Sequence, residues 1–212
     1  MSHIKKNYNK ECNELVTSFS EKKSLLLHVC CAPCSSSVLL RLKDFFTITL
    51  FFYNPNIFPQ VEYLKRKEEL ITLLDHYQRD VSLFCTVIDA DYNHDEFLTV
   101  AKDYATEKEG GLRCKFCYEL RIKKTFELAS SMQYDYFCTT LSISPLKNAM
   151  LINEIGFSLQ NSTTKWLPSD FKKQNGFLRS IELSKTYNLY RQDTCGCEFS
   201  KNIKQNKTIL TL

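Results

Sequence analysis

The chain has no apolar run long enough to cross a bilayer. Its longest, residues 45–53, is about half of what a spanning helix needs. Residues 1–21 are polar and charged, without the apolar stretch or small-residue cleavage site of a secretory leader. The expected compartment is therefore cytoplasmic. There is no GxGxxG and no Walker A stretch, so neither a dedicated nicotinamide site nor an ATP motor is indicated. Zinc-finger, RRM and KH signatures are also missing. No internal repeat, long linker or low-complexity segment interrupts the 212 residues. Charge of one sign is not strongly in excess. Lys and Arg number 28 against 24 Asp and Glu, and the net charge of +4 only mildly favours a polyanionic partner.

Cysteine, by contrast, is abundant. Ten cysteines in a reducing compartment are more readily metal ligands or redox groups than structural disulfides. Seven of them fall in three tight groups: Cys30, Cys31 and Cys34; Cys114 and Cys117; Cys195 and Cys197. One tetrahedral metal or one cubane cluster takes at most four thiolates. Seven therefore point to a larger or two-part centre, gathered from across the chain. Cys85 and Cys138 lie in apolar, strand-like runs and read as small buried thiols, and Cys12 lies in the polar lead-in.

A hydrophobic fraction of 43% marks a folded globular protein, and the length suits one domain. Residues 1–23 read as a polar lead-in, partly helical at best. Residues 24–199 form the α/β domain, and 200–212 a tail. Strands are predicted at 24–29, 45–53, 81–88, 136–140 and about 164–167. Helices follow the first cysteine group and cover 60–79, 95–108, 117–132, 146–155 and the start of 180–190. The helix at 60–79 shows apolar Val61, Leu64, Ile71 and Leu74 among charges, and Gly156 reads as a helix C-cap. Alternating strands and helices predict an open, mostly parallel sheet. Ligands of such sheets bind beyond the carboxyl ends of the strands. Four polar segments follow strands: the first cysteine group; Asn54–Pro55–Asn56; Asp89 and Asp91; and Thr139, Thr140 and Ser144. All four are expected on one rim.

Within HVCCAPC, Cys31 and Cys34 make a C-x-x-C at the start of a helix, where unpaired amides acidify thiols. The spacing of Cys114 and Cys117 puts both sulfurs on one side of a helical turn, and Gly110 and Gly111 let backbone approach a bound group. Gly196 permits a tight turn between Cys195 and Cys197. Zinc and iron–sulfur both want soft thiolates, and spacing does not separate them. A zinc-thiolate RNA-binding protein without redox activity and a thiol–disulfide oxidoreductase therefore stand as alternatives. Arg113, Lys115, Arg121, Lys123 and Lys124 surround the second group, with tyrosines interspersed. They read either as phosphate- and base-binding groups or as a solvated face. His28, inside the first strand, reads as a core residue.

The blocks LLLHVCCAPC, FFYNPNIFPQVEYLKR, GLRCKFCYELR, TTLSISPLKN and YRQDTCGCEF occur in one order from Leu25 to Phe199. Together they resemble the epoxyqueuosine reductase QueH family. That resemblance implies a Rossmann-like sheet of the HUP group. It also implies reduction of epoxyqueuosine at the wobble position of a tRNA with a GUN anticodon to queuosine, an epoxide-to-alkene deoxygenation. The implied cofactors are a [4Fe–4S] cluster and an additional mononuclear iron, with Cys30, Cys31, Cys34, Cys114, Cys117, Cys195 and Cys197 as ligands. Some members have aspartate where this chain has Cys34. Cys34, Tyr190 and Arg191 stand as catalytic candidates. Asn54, Asn56, Tyr63, Arg66, Ser144, Lys147 and Gln192 stand as substrate-binding candidates. An external low-potential donor of flavodoxin or ferredoxin type is the implied protein partner. Thr194 before the CGC, and Phe97 where tryptophan is frequent, are minor departures.

Overall fold

A computed structural model of the chain describes residues 6–200. Five strands form one parallel sheet in the order β3-β2-β1-β4-β5. They are β1 (Lys23–His28), β2 (Phe46–Phe52), β3 (Thr86–Asp89), β4 (Tyr136–Thr139) and β5 (Lys165–Trp166). The helices are α1 (Tyr8–Thr17), α2 (Ala32–Leu42), α3 (Gln60–Val81), α4 (His94–Ala101), α5 (Leu112–Ser131), α6 (Ala149–Leu159) and α7 (Gly176–Thr186). The arrangement is a single Rossmann-like α/β domain. Parallel strands are covered on both faces, so the central ones read as unbroken apolar runs. Leu25, Leu26 and Leu27 of β1 are all fully buried, each stabilising the fold by roughly 2 kcal/mol. The order reverses between β1 and β4, which opens a crevice beyond their carboxyl ends.

His28 closes β1 and is fully buried. Its Nε2 lies 3.0 Å from the Tyr53 carbonyl, which can only accept, so Nε2 carries the proton. Nδ1 then accepts from the Thr139 hydroxyl at 2.7 Å. One imidazole thus ties together the ends of β1, β2 and β4 directly beneath the crevice. Burial and the Arg121 charge hold its pKa down near 4, so it stays neutral.

Several elements depart from their sequence expectations. The polar lead-in contains a full helix, α1, whose Cys12 is wholly buried. Arg41 fixes it through Asn9 at 3.0 Å and Asn13 at 2.6 Å. The expected strand at 81–88 shrinks to Thr86–Asp89, because α3 runs to Val81 and ends on Ser82 in the left-handed conformation. Cys85 accordingly precedes the strand and is half-buried, whereas Cys138 is fully buried within β4. On α3 the buried stripe is Tyr63, Arg66, Leu70, Leu73 and Tyr77. Val61, Leu64 and Ile71, the apolar positions expected to face the core, are exposed. Helix α5 starts at Leu112, five residues before the expected start at 117, and so carries both cysteines of its group. Helix α7 begins at Gly176, ahead of the expected 180.

Gly156 is not a C-cap; α6 continues past it to Leu159. It is small because the Trp166 ring lies against it. A Cβ there would sit 2.1 Å from a ring carbon. Next to it, buried Asn153 accepts from Trp166 Nε1 and Ser169 N, and donates to the carbonyls of Ala149 and Ser169. This contact locks α6 to β5 and to the chain leaving it. In an open helix, Gly→Ala stabilises by up to about 1 kcal/mol. Here Gly156→Ala is expected to destabilise by about 2 kcal/mol, since neither the ring nor the helix backbone can retreat freely. A fall in melting temperature of roughly 5 °C is the expected readout for a chain of this size.

Candidate metal centre and adjoining cavity

The first cysteine group begins two residues after β1. Cys31 is the residue preceding α2 and is extended (φ −173°), while Pro33 occupies the first helical turn. The three sulfurs of Cys30, Cys31 and Cys34 lie within 4.8 Å of one another, with Cys30 and Cys31 Sγ 3.8 Å apart. The second group sits in the first turns of α5. Gly110, left-handed at φ +91°, donates its N–H to Cys114 Sγ at 3.2 Å. The third group follows α7 in a turn made possible by Gly196 at φ +92°.

That third turn is clamped from two sides. Phe58 N donates to the Gly196 carbonyl at 3.0 Å. Arg66, only 2% exposed, donates to the carbonyls of Cys195 (3.2 Å) and Thr194 (3.4 Å). Glu62 holds the same guanidinium in an ion pair at 2.8 Å. A Cβ on Gly196 would stand 3.1 Å from Arg66 Nη2 and 3.2 Å from Ile57 Cγ1. His94 adds a second tie, lying 2.6 Å from the Pro55 carbonyl and 2.8 Å from Glu198 Oε1.

The three turns meet around one cavity of about 240 Å³. Cys30, Cys34, Cys114, Cys117, Cys195 and Cys197 line it, and Cys31 stands directly behind Cys30. The expected gathering of the three cysteine groups from across the chain is thus met. A small apolar cluster of Phe97, Ala101, Cys117 and Cys197 backs one side.

The electrostatics follow from crowding sulfur out of water. Hydrogen bonds from Cys31 and Cys34 hold the Cys30 thiol well below the usual thiol range, and Lys147 reinforces this. Cys34 is pushed up by donating to Cys30, and Cys31 rises to about 12 chiefly through burial. The third group repeats the pattern. Cys195 is lowered by a hydrogen bond from Cys197 and by Lys147, and Cys197 is raised in return. Burial raises Cys114 and Cys117. A buried cation, Arg121, and a half-buried one, Lys147, answer these charges. Burial works against Arg121 and Lys147, yet the surrounding cysteines hold both above their ordinary values: Cys117 and Cys30 for Arg121, Cys30 and Cys34 for Lys147. An all-sulfur donor set with adjacent cations suits a thiolate-bound metal centre.

Other residues of the cavity lining carry buried polar atoms without a protein partner. Arg113 is fully buried; its Nη1 binds the carbonyls of Tyr104, Ala105 and Glu107, but Nε and Nη2 are unsatisfied. Asn56 Oδ1 and Gln192 Oε1 are likewise buried without a partner. All three residues line the cavity. An unsatisfied buried polar atom costs about 1–3 kcal/mol.

Of the other sequence candidates, Arg66, Ser144, Lys147 and Arg191 line the cavity. Arg191 also donates to the Ser180 carbonyl and Ser184 Oγ. Asn54, Tyr63 and Tyr190 are not among the lining residues. Asn54 donates to the Val29 carbonyl at 2.8 Å. Tyr63 donates to Asp89 and Ala90. Tyr190 reaches Glu62, with Lys65 Nζ 3.5 Å above its ring. Asp89 and Asp91 were expected on the shared rim but do not line the cavity. Asp89 instead engages Tyr63 and Lys67 at the sheet edge, because β3 is the outermost strand. Arg113 and Arg121 leave the solvated face that their neighbours Lys123 and Lys124 occupy. The available signal was spacing: Arg113, Cys117, Arg121 and Thr125 recur every four residues along one buried stripe of α5.

The comparisons agree with this geometry. The family model described as "Epoxyqueuosine reductase QueH" matches residues 25–203. The chain is similar to the epoxyqueuosine reductase QueH of Staphylococcus epidermidis, 40% identical over 206 residues that cover 94% of this chain and 87% of that protein. It is 40% identical over 186 residues to the Streptococcus pyogenes protein of that name, covering 87% and 73%. With the Thermotoga maritima protein of the same name it shares 34% identity over 181 residues, covering 84% and 90%. The cysteine-lined crevice of this Rossmann-like sheet is thus that of an oxidoreductase, and the chain belongs to the epoxyqueuosine reductase QueH family.

Proposed function

We propose that this enzyme reduces epoxyqueuosine at the wobble position of tRNA to queuosine at a [4Fe–4S] cluster with an additional iron. The observation that carries the reading is the meeting of three cysteine turns on one cavity that also holds unsatisfied polar groups. Overall, two electrons and two protons convert the epoxide to an alkene and water. When bound, the metal centre supplies single electrons and a Lewis acid for the epoxide oxygen.

The remaining roles belong to the chain. Cys30, Cys31, Cys34, Cys114, Cys117, Cys195 and Cys197 would hold the metals. Arg121 and Lys147 offset the thiolate charge, and Lys147 keeps a proton on Nζ beside Cys30 and Cys34. Asn56, Gln192 and Arg113, which line the cavity and carry polar atoms without a protein partner, would take the hydroxyls and base edge of the substrate. Arg191, held by Ser180 and Ser184, reaches the nucleotide from the mouth. Phe97 and its neighbours keep water from the sulfurs on the far side. Bases of an anticodon loop are single-stranded and can be splayed into such a pocket. A cubane cluster stores one electron at a time, so an external flavodoxin- or ferredoxin-like protein would reload it. A cytosolic setting, where thiols stay reduced, goes with this chemistry. No helix among the described residues is long and apolar enough to cross a membrane.

Anaerobically reconstituted enzyme, given a low-potential reductant and epoxyqueuosine tRNA, is expected to yield a nucleoside lighter by one oxygen on mass analysis. A colourless, zinc-loaded and inert preparation would replace this reading with the zinc alternative. Activity that survives substitution of Cys114, Cys117, Cys195 and Cys197 would replace it with the dithiol alternative.

The clamp on the CGC turn gives a separate expectation. Gly196→Ala forces a Cβ into a left-handed residue wedged against Arg66, and Arg66→Ala removes the donors to Thr194 and Cys195. Each is expected to lower metal affinity by about 10- to 100-fold, as removal of a ligand-orienting group does. Iron per chain and visible absorbance after desalting measure it directly. Full iron retention in both variants would show that the turn needs no clamp.

A further inference from the structure

A second cavity, of about 680 Å³, opens beside the first and shares Lys147 with it. Lys6, just before α1, and Lys172 and Lys173, after β5, supply its other cations. Asp170 is the one carboxylate on its wall, and Lys172 occupies it in an ion pair at 2.6 Å. Lys6 and Lys173 make no ion pair among the described residues. Lys6 lies instead 5.9 Å from the Phe157 ring. Two of its four lysines, Lys6 and Lys173, are thus left without an ion-pair partner among the described residues, and the cavity shares a wall residue with the substrate pocket. Its α1 side precedes residue 25, so that part lies outside the stretch matched by the family model.

We infer that this second cavity holds backbone phosphates of the RNA next to the nucleotide being reduced, an inference that rests on the tRNA reading above. A nucleotide within a polymer cannot enter the first cavity alone. The phosphates joining it to its neighbours must lie within one nucleotide step of the pocket mouth, and Lys147 lines both cavities. Cations placed there neutralise phosphate whatever the neighbouring bases are. They position the RNA without reading its sequence. The residues that set this contact are Lys6 and Lys173, with Lys147 shared between nucleotide and backbone.

The test uses the full-length, iron-loaded enzyme and an anticodon stem–loop RNA carrying epoxyqueuosine. Affinity is measured across a series of salt concentrations, alongside turnover. The double variant Lys6→Ala/Lys173→Ala is compared with Lys22→Ala/Lys43→Ala, which removes as much charge from the opposite, amino-terminal edge of the sheet. The cavity variant is expected to reduce the slope of log affinity against log salt by about 2, one for each phosphate left without its lysine. It is expected to raise KM for RNA on the order of tenfold at physiological salt, with iron content and absorbance unchanged. The edge variant is expected to match the parent. An unchanged slope and KM in the cavity variant, with the parent active, would overturn the inference alone. So would a changed demand for the electron-donor protein at unchanged RNA affinity, which would assign the cavity to a protein surface. A parent that binds the RNA yet removes no oxygen would instead overturn the reduction reading.

Discussion

Thiolates crowded together out of water repel one another, and the sulfur sites of this protein are organised around that repulsion. Within the first and third groups, one sulfur takes the charge while its neighbours donate to it: Cys30 from Cys31 and Cys34, and Cys195 from Cys197. The protein adds Arg121 and Lys147 at the centre, two cations that burial alone would disfavour. Replacing protons by metal relieves the same repulsion more completely, since each thiolate then meets positive charge directly. The folded chain is thus prepared for a metal centre by its electrostatics as well as by its donor atoms.

The open sheet makes this possible by dividing labour between its two ends. Toward the amino-terminal end, aromatic residues such as Phe19, Phe46 and Tyr136 pack edge to face. At the carboxyl end the reversal between β1 and β4 leaves a crevice no strand can fill. His28 stiffens the floor of that crevice by joining three strand ends through two hydrogen bonds. A neutral imidazole suits the position. A second proton on Nδ1 would break its bond from Thr139, whose Oγ1 also accepts from Leu141 N.

Much of this was legible in the residues. The apolar runs gave β1, β2 and β4, and the cysteine groups marked a multi-sulfur site before any geometry was known. Two of the features the sequence hid share a physical cause: polar groups doing the work of packing. Periodicity on α3 chose Val61, Leu64 and Ile71, yet the buried stripe contains Arg66 and two tyrosines, which no hydrophobic count would rank. Helix α1 looked too polar to be fixed, but Arg41 anchors it through two asparagines. Gly156 resembled a helix stop because glycine usually is one. Here it makes room for the Trp166 ring, a contact between segments that local reading does not see.

The same difficulty separates two buried arginines that composition treats alike. Arg66 commits its donors to Glu62 and to the carbonyls of the CGC turn, so its contribution is to shape that turn. Arg113 commits one nitrogen to three carbonyls of the loop before α5, while its Nε and Nη2 are buried without a protein partner. Its three bonds hold the loop before α5 against the helix that carries Cys114 and Cys117. Asn56 and Gln192 carry the complementary deficit in acceptors. Arg66 and Arg113 are thus told apart by their partners: one shapes the CGC turn, and the other belongs to a set of cavity-lining residues with donors and acceptors that have no protein partner. That distinction comes from counting which hydrogen bonds the fold has left unmade, and residue type alone does not supply it.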